Sequence, residues 1–454
     1  MDRAAYQDLL GVDRDVARAV RALGAWHSAL AEDPEKQADR EPLGPFRHVA
    51  GRAAYLAVVG DPAARKGSET PLREGLGRWV AHLTLARLVR DLDADLATAA
   101  AAPEARYALD PKRRVAYREA WRALPSATTR PEVVAWVDAA AQRAGAVGAP
   151  AHERRARREE AALRLGATGT WALATNVPHA AVLALCEELL TSTRALAGDI
   201  LKEARAKSEA PKERSFVDAI AIAVARDAPE GWPARLQPRW LLELFPKVTD
   251  GLRIELGALP VAAGASSFAR ALGAFGFALR TAGPAPSLPF ALARDPSHVD
   301  AHRYANVFAS LACSAEFQRR ALGNVARVAA AQARVMGRSL FFSARLAAAR
   351  VLLAHDADRF EELTTDVFGA ALPAALARAW PAVRDDEPAR AVALFTSLPL
   401  ARELVDRFDA DWFRNPRAVL YLRARASAPA WDPSAELDPS SARAIARAFE
   451  EATA

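Results

Sequence analysis

Cys186 and Cys313 are the only cysteines in 454 residues. Two thiols so far apart exclude a disulfide framework and a thiolate metal site, and they fit a reducing compartment. Aromatic residues make up only 7% of the chain and runs of β-branched residues are rare, so a sheet-based fold is not expected. No stretch approaches the ~20 uninterrupted apolar residues of a spanning helix. The opening MDRAAYQDLLGVDRDVARAV mixes charged with apolar residues and has no apolar signal core, so cytoplasmic residence is expected. Lysine is scarce, and the positive charge rests mainly on arginine. The net charge of +6 is a small remainder of 61 basic and 55 acidic residues, without the concentration of charge typical of a dedicated nucleic-acid binder. No GxSxG nucleophile elbow occurs, and the glycine-rich stretch has no Walker lysine. No repeat of fixed period supports a solenoid.

What the chain does have is helix-forming composition, rich in alanine, leucine, arginine and glutamate. Leu9, Val12, Val16, Val20, Leu23 and Trp26 fall three or four apart and predict a helix over 5–32. Leu76, Trp79, Val80, Leu83, Leu85, Leu88 and Leu92 predict another within 71–100. Pro111 and Pro125 bracket a helix carrying Tyr117 and Trp121. Pro131 suits the first turn of a helix over 132–144. Residues 145–160 (GAVGAPAHERRARREE) read as a seam followed by a charge run on a solvated helix face. Glycine and proline crowd residues 245–290, where Ile254, Leu256, Leu259 and Val261 suit a short strand, and Gly273 and Gly276 suit close helix packing. The expected fold is all-α, an irregular multi-helical array with at most a small strand pair near 250–262. Its regions are 1–148, 149–288 and 289–454.

The first candidate site is His298-Val299-Asp300-Ala301-His302. Two histidines four apart on a helix share a face and can reach one Zn²⁺, as in HExxH peptidases. Val299 occupies the place of the general-base glutamate, and Asp300 points about 100° away around the helix. Glu316 would lie about 21 Å up the axis of a continuous helix. Gln332 is a poor zinc ligand. Glu361 or Glu362 would have to supply a base from elsewhere. Two readings stay open: histidines bonded locally, or a metal pair.

With its helical neighbours and the partly extended segment at 251–264, the region 290–354 resembles a degenerate form of the helical metallopeptidases of the thimet oligopeptidase and oligoendopeptidase type. The resemblance covers roughly a third of the chain. The family motif carries over only at His298 and His302; its glutamate falls on Val299, its glycine on Ala301, and its third ligand has no clear match. The resemblance implies a peptide-sized cleft in a helical bowl with the chemistry lost. A non-catalytic protein that binds a peptide or protein partner follows, with no cofactor. A zinc-dependent hydrolase is the rival.

The second candidate is a stripe of arginines. Arg320, Arg327, Arg334, Arg338 and Arg345 fall within about 40° of one line at helical pitch. No Asp or Glu lies between Phe317 and His355. Val325, Val328, Met336 and Leu346 mark the opposite, buried side. The stripe must meet negative charge, either from 356–366 and 385–387 folded back or from an external anion such as a nucleic acid. It lacks the interleaved aromatics of a base-stacking reader. A Cys186–His179 dyad, seven residues apart on one face, is the remaining nucleophile candidate.

Overall fold

A computed structural model describes residues 8–60, 69–175, 177–206, 216–225, 231–232, 238–254, 256, 265–380, 386–433 and 436–454. Among the described residues the fold is all-α with one small antiparallel strand pair. The strands are β1, Ala105–Tyr107, and β2, Asp110–Val115. They do not lie near 250–262. There, residues 250–254 and 256 are turn or irregular, while 255 and 257–264 lie outside the described residues. Among the described residues no helix is long and apolar enough to cross a membrane.

The chain forms two compact units, each made of three stretches. Unit 1 comprises 1–179, 285–297 and 375–385; unit 2 comprises 180–284, 298–374 and 386–454.

In unit 1 the helix Leu9–Glu32 buries Leu9, Val12, Val16, Ala19, Leu23, Trp26 and Leu30, a 3-4 spacing that puts one apolar stripe on the core. The stripe packs with Leu76, Trp79, Val80 and Leu83 of the helix Thr70–Leu88. Trp79 cannot be buried without a partner for its indole N–H, and it donates to the Arg294 carbonyl at 2.8 Å. The buried Asp13 carboxylate accepts the N–H groups of Phe290 (2.7 Å) and Ala291 (2.8 Å). The expected seam at 145–160 is helical throughout and belongs to one long helix, Arg130–Arg164, with Pro150 inside it. A capping box of Thr129 and Glu132 starts that helix. Its charge run is paired partly within the helix, Arg157 with Glu153 and Arg164 with Glu160, and partly with the helix Arg90–Ala101, where Arg154 meets Asp93 and Arg157 meets Asp91.

Unit 2 is built on an aromatic cluster of Phe245, Phe268, Phe275, Phe308, Phe317, Trp412 and Phe413. Burying each such ring stabilises the fold by roughly 1.5–3 kcal/mol. The helices Ala265–Ala282 and Val299–Ser310 approach closely because glycine lines the contact. A Cβ on Gly276 would lie 2.5 Å from the Tyr304 carbonyl oxygen, and one on Gly273 would lie 3.4 Å from that of Ala305. Asn415 accepts the Arg417 N–H at 3.0 Å and caps the helix Pro416–Ser427.

Candidate functional site

His298 and His302 do not sit on one regular helix. His298 is in the left-handed region (φ 55°, ψ 24°) and caps the helix Val299–Ser310 from outside. Its carbonyl still accepts the His302 N–H at 2.9 Å. The shared-face argument needs helical backbone at both positions, and His298 does not supply it. Both rings meet a residue of another helix, Ala265–Ala282. The ring of Phe277 lies 5.7 Å from that of His298 and 5.1 Å from that of His302.

His302 is mostly buried, and its Nε2 lies 3.7 Å from Oδ2 of Asp386. The same oxygen is 2.7 Å from Nε of Arg390. Burial pushes the His302 imidazole down to about 3, Arg390 adds to the shift, Asp386 opposes it, and His298 contributes a smaller lowering. At neutral pH the ring is uncharged.

Among the described residues no three His, Cys, Asp or Glu side chains are grouped as a metal ion requires. Asp300, beside His302 in sequence, is taken by a buried ion pair with Arg280. Glu316 is held by Arg319 and Arg320. Gln332 is buried and accepts the Trp232 indole N–H at 2.7 Å. Glu362 pairs with Arg359, and Glu361 is exposed.

The neutral, buried His302 makes folding pH-dependent. Its folded-state value lies below the ordinary 6.5, so between about pH 6.5 and 3 the unfolded chain binds the proton that the folded chain excludes. The contribution is intact above pH 6.5 and is lost on acidification, at on the order of 1 kcal/mol per pH unit. His302→Asn removes this term. Urea unfolding at pH 7 and pH 5 is expected to show a smaller loss of stability in the variant than in the parent. Equal losses would count against a buried neutral ring.

The arginine stripe is divided among three environments. Arg320 ends its own short helix, Ala315–Arg320, and is paired with Glu316. Gly323, at φ 71°, lies in the break before the long helix Ala326–His355. Arg327 and Arg334 are exposed. Arg338 reaches Glu203 at 2.7 Å. Arg345 is fully buried, 0% exposed, against Asp366 at 3.0 Å. It also donates to the Leu190 carbonyl, the Thr193 hydroxyl and the Asp366 carbonyl. Of the acidic segments expected to fold back, 356–366 meets the stripe through Asp366 alone. Glu203 had no signal in the sequence beyond its sign. The expected buried side is mixed: Met336 is buried, whereas Val325 is 68% exposed and Val328 and Leu346 are half-buried.

Cys186 lies in the helix His179–Ser192 and is buried. Burial pushes its thiol up, opposite to what a nucleophile needs. His179 instead stacks on Trp171, with ring centroids 5.3 Å apart.

No protein-family model, curated protein or solved structure matches this chain.

Proposed function

We propose that this chain is a non-catalytic helical protein that binds an acidic peptide or protein segment along the first half of the helix Ala326–His355. One observation carries the reading. Arg327 and Arg334 are exposed and have no ion-pair partner among the described residues, whereas Arg320, Arg338 and Arg345 are each matched to a carboxylate within the chain. Seven residues of helix set the two guanidinium-bearing positions about 10.5 Å apart on one side. Exposed Val325 adds apolar surface just before them. A segment with carboxylates at matching intervals complements this surface. A metallopeptidase-like scaffold without its base is one origin for such a binder.

The test is fluorescence anisotropy of a labelled glutamate-rich 15-residue peptide at low salt. The parent chain is expected to bind. Arg327→Glu with Arg334→Glu is expected to weaken binding by tenfold or more, since each exposed pair is worth roughly 0.2–1 kcal/mol and reversal adds repulsion. Unchanged affinity sinks the reading. The rival zinc hydrolase has its own signature: stoichiometric zinc that is lost in His302→Ala, together with peptide cleavage, would overturn the non-catalytic assignment.

A further inference from the structure

The strand pair of unit 1 is a two-stranded ribbon with distinct faces. Ala105 pairs with Val115, and both are buried. Beneath the ribbon, the Tyr107 ring lies 4.3 Å from that of Trp136 in the helix Arg130–Arg164. The Arg113 guanidinium covers both rings at 5.2 and 5.1 Å and is bonded to Glu119 at 2.7 Å. The outer edge is held as well. Gln142 accepts the Arg106 N–H at 3.0 Å and donates to the Arg106 carbonyl at 3.1 Å, so one side-chain amide takes the place of a third strand.

The other face carries positive charge. Arg106 stands directly opposite Arg114, and Lys112, two residues before Arg114 in β2, lies in the stretch where the register shifts between the two strands. All three are exposed, and none has an ion-pair partner among the described residues. The acids nearby are committed: Glu104 to Arg143 and Glu119 to Arg113. Asp110 at the turn accepts the Lys112 backbone N–H at 3.1 Å and offsets only part of the charge. Like charges directly opposite on a ribbon destabilise it. This ribbon holds such a pair, anchored from below and from the side, with Asp110 as its own partial counter-charge.

We propose that Arg106, Lys112 and Arg114 form a binding site for the phosphate backbone of double-stranded nucleic acid. Cross-strand neighbours sit about 5 Å apart, and Lys112 is two residues along β2 from Arg114, beside the register shift. The three cations therefore make a dense array suited to a polyanion with one charge per about 1.7 Å of axis. A two-stranded ribbon fits the major groove of a duplex. Its aromatic residues, Tyr107 and Trp136, are buried beneath it and leave nothing to stack an unpaired base, which favours a duplex over a single strand. Apart from Leu109 at the turn, the face has no apolar centre of the kind that protein interfaces bury. Recognition is by charge and is independent of base sequence.

The test is anisotropy of the full chain with a labelled 20-base-pair DNA duplex over 25–200 mM NaCl. Three phosphate contacts predict a slope of log affinity against log salt of about −2.7. Arg106→Gln, Lys112→Gln and Arg114→Gln are each expected to reduce the slope by about 0.9, and the triple variant to abolish binding. Far-UV circular dichroism checks that the variants stay folded. Three results each overturn the site: no duplex binding at 25 mM salt, a slope retained by the folded triple variant, or ribbon-dependent binding of poly-glutamate without binding of the duplex.

Discussion

Replacing Arg345 with alanine is expected to destabilise unit 2 by about 3–5 kcal/mol, the range for breaking a buried ion pair from one side. The guanidinium is fully buried and holds the Asp366 carboxylate, the Asp366 and Leu190 carbonyls and the Thr193 hydroxyl. Only its Nε lacks an acceptor. Alanine would leave four acceptor groups without this donor and empty the volume of a long side chain. Arg194, at 2.8 Å from Asp366, keeps part of the carboxylate's pairing and sets the loss below a complete orphaning. Arg345→Met restores volume without donors and is expected to lie between alanine and the parent. Arg327→Ala and Arg334→Ala, on the same helix but exposed, are expected to stay within about 0.5 kcal/mol. Urea midpoints of the four variants check the ranking. Equal effects at all positions would mean that the buried arginine is not a structural tie.

Gly276→Ala is expected to cost roughly 1–3 kcal/mol, the range for overpacking, although alanine is the better helix former. The new methyl would lie 2.5 Å from the Tyr304 carbonyl oxygen and 2.9 Å from Cδ2 of Phe308. The first neighbour is backbone, so the helix Val299–Ser310 has to move as a body. That shift also alters how Phe277 meets His302 and how Arg280 meets Asp300. Gly198→Ala is the control: it lies in the helix Arg194–Ala206 of the same unit, with nothing within 4 Å of an added Cβ. It is expected to stabilise by about 0.5–1 kcal/mol from propensity alone. Thermal melts of the two variants should therefore move in opposite directions. A stabilised Gly276→Ala would show that the helices are less closely packed than the geometry requires.

The long helices were legible because their signal is local. The 3-4 spacing from Leu9 to Trp26 is read within one segment, and the helix Leu9–Glu32 buries those positions except Val20, which is half-buried beside Ala19. The ribbon at 105–115 was missed. Three residues pairing with six carry too short an alternation to stand out, and the tie between Arg106 and Gln142 crosses 36 positions. The Lys-Arg-Arg run at 112–114 was its one visible trace.

At the histidines, spacing alone implied one helical face, but His298 takes a left-handed conformation just before the helix begins. Phe277, twenty-one and twenty-five residues upstream, decides what the rings meet. In the stripe, Arg327, Arg334, Arg338 and Arg345 lie in the one helix Ala326–His355, and the break near Gly323 leaves Arg320 outside it.

By itself, then, the sequence determined that the chain is helical and where many of its helices run, because helix formation follows from composition and from the spacing of neighbours. Which cations are buried, which are neutralised and which stay exposed was decided only by the tertiary structure. Glu203, Asp366 and Gln142 act at a distance along the chain, and the charge of a side chain does not reveal what the fold will set beside it.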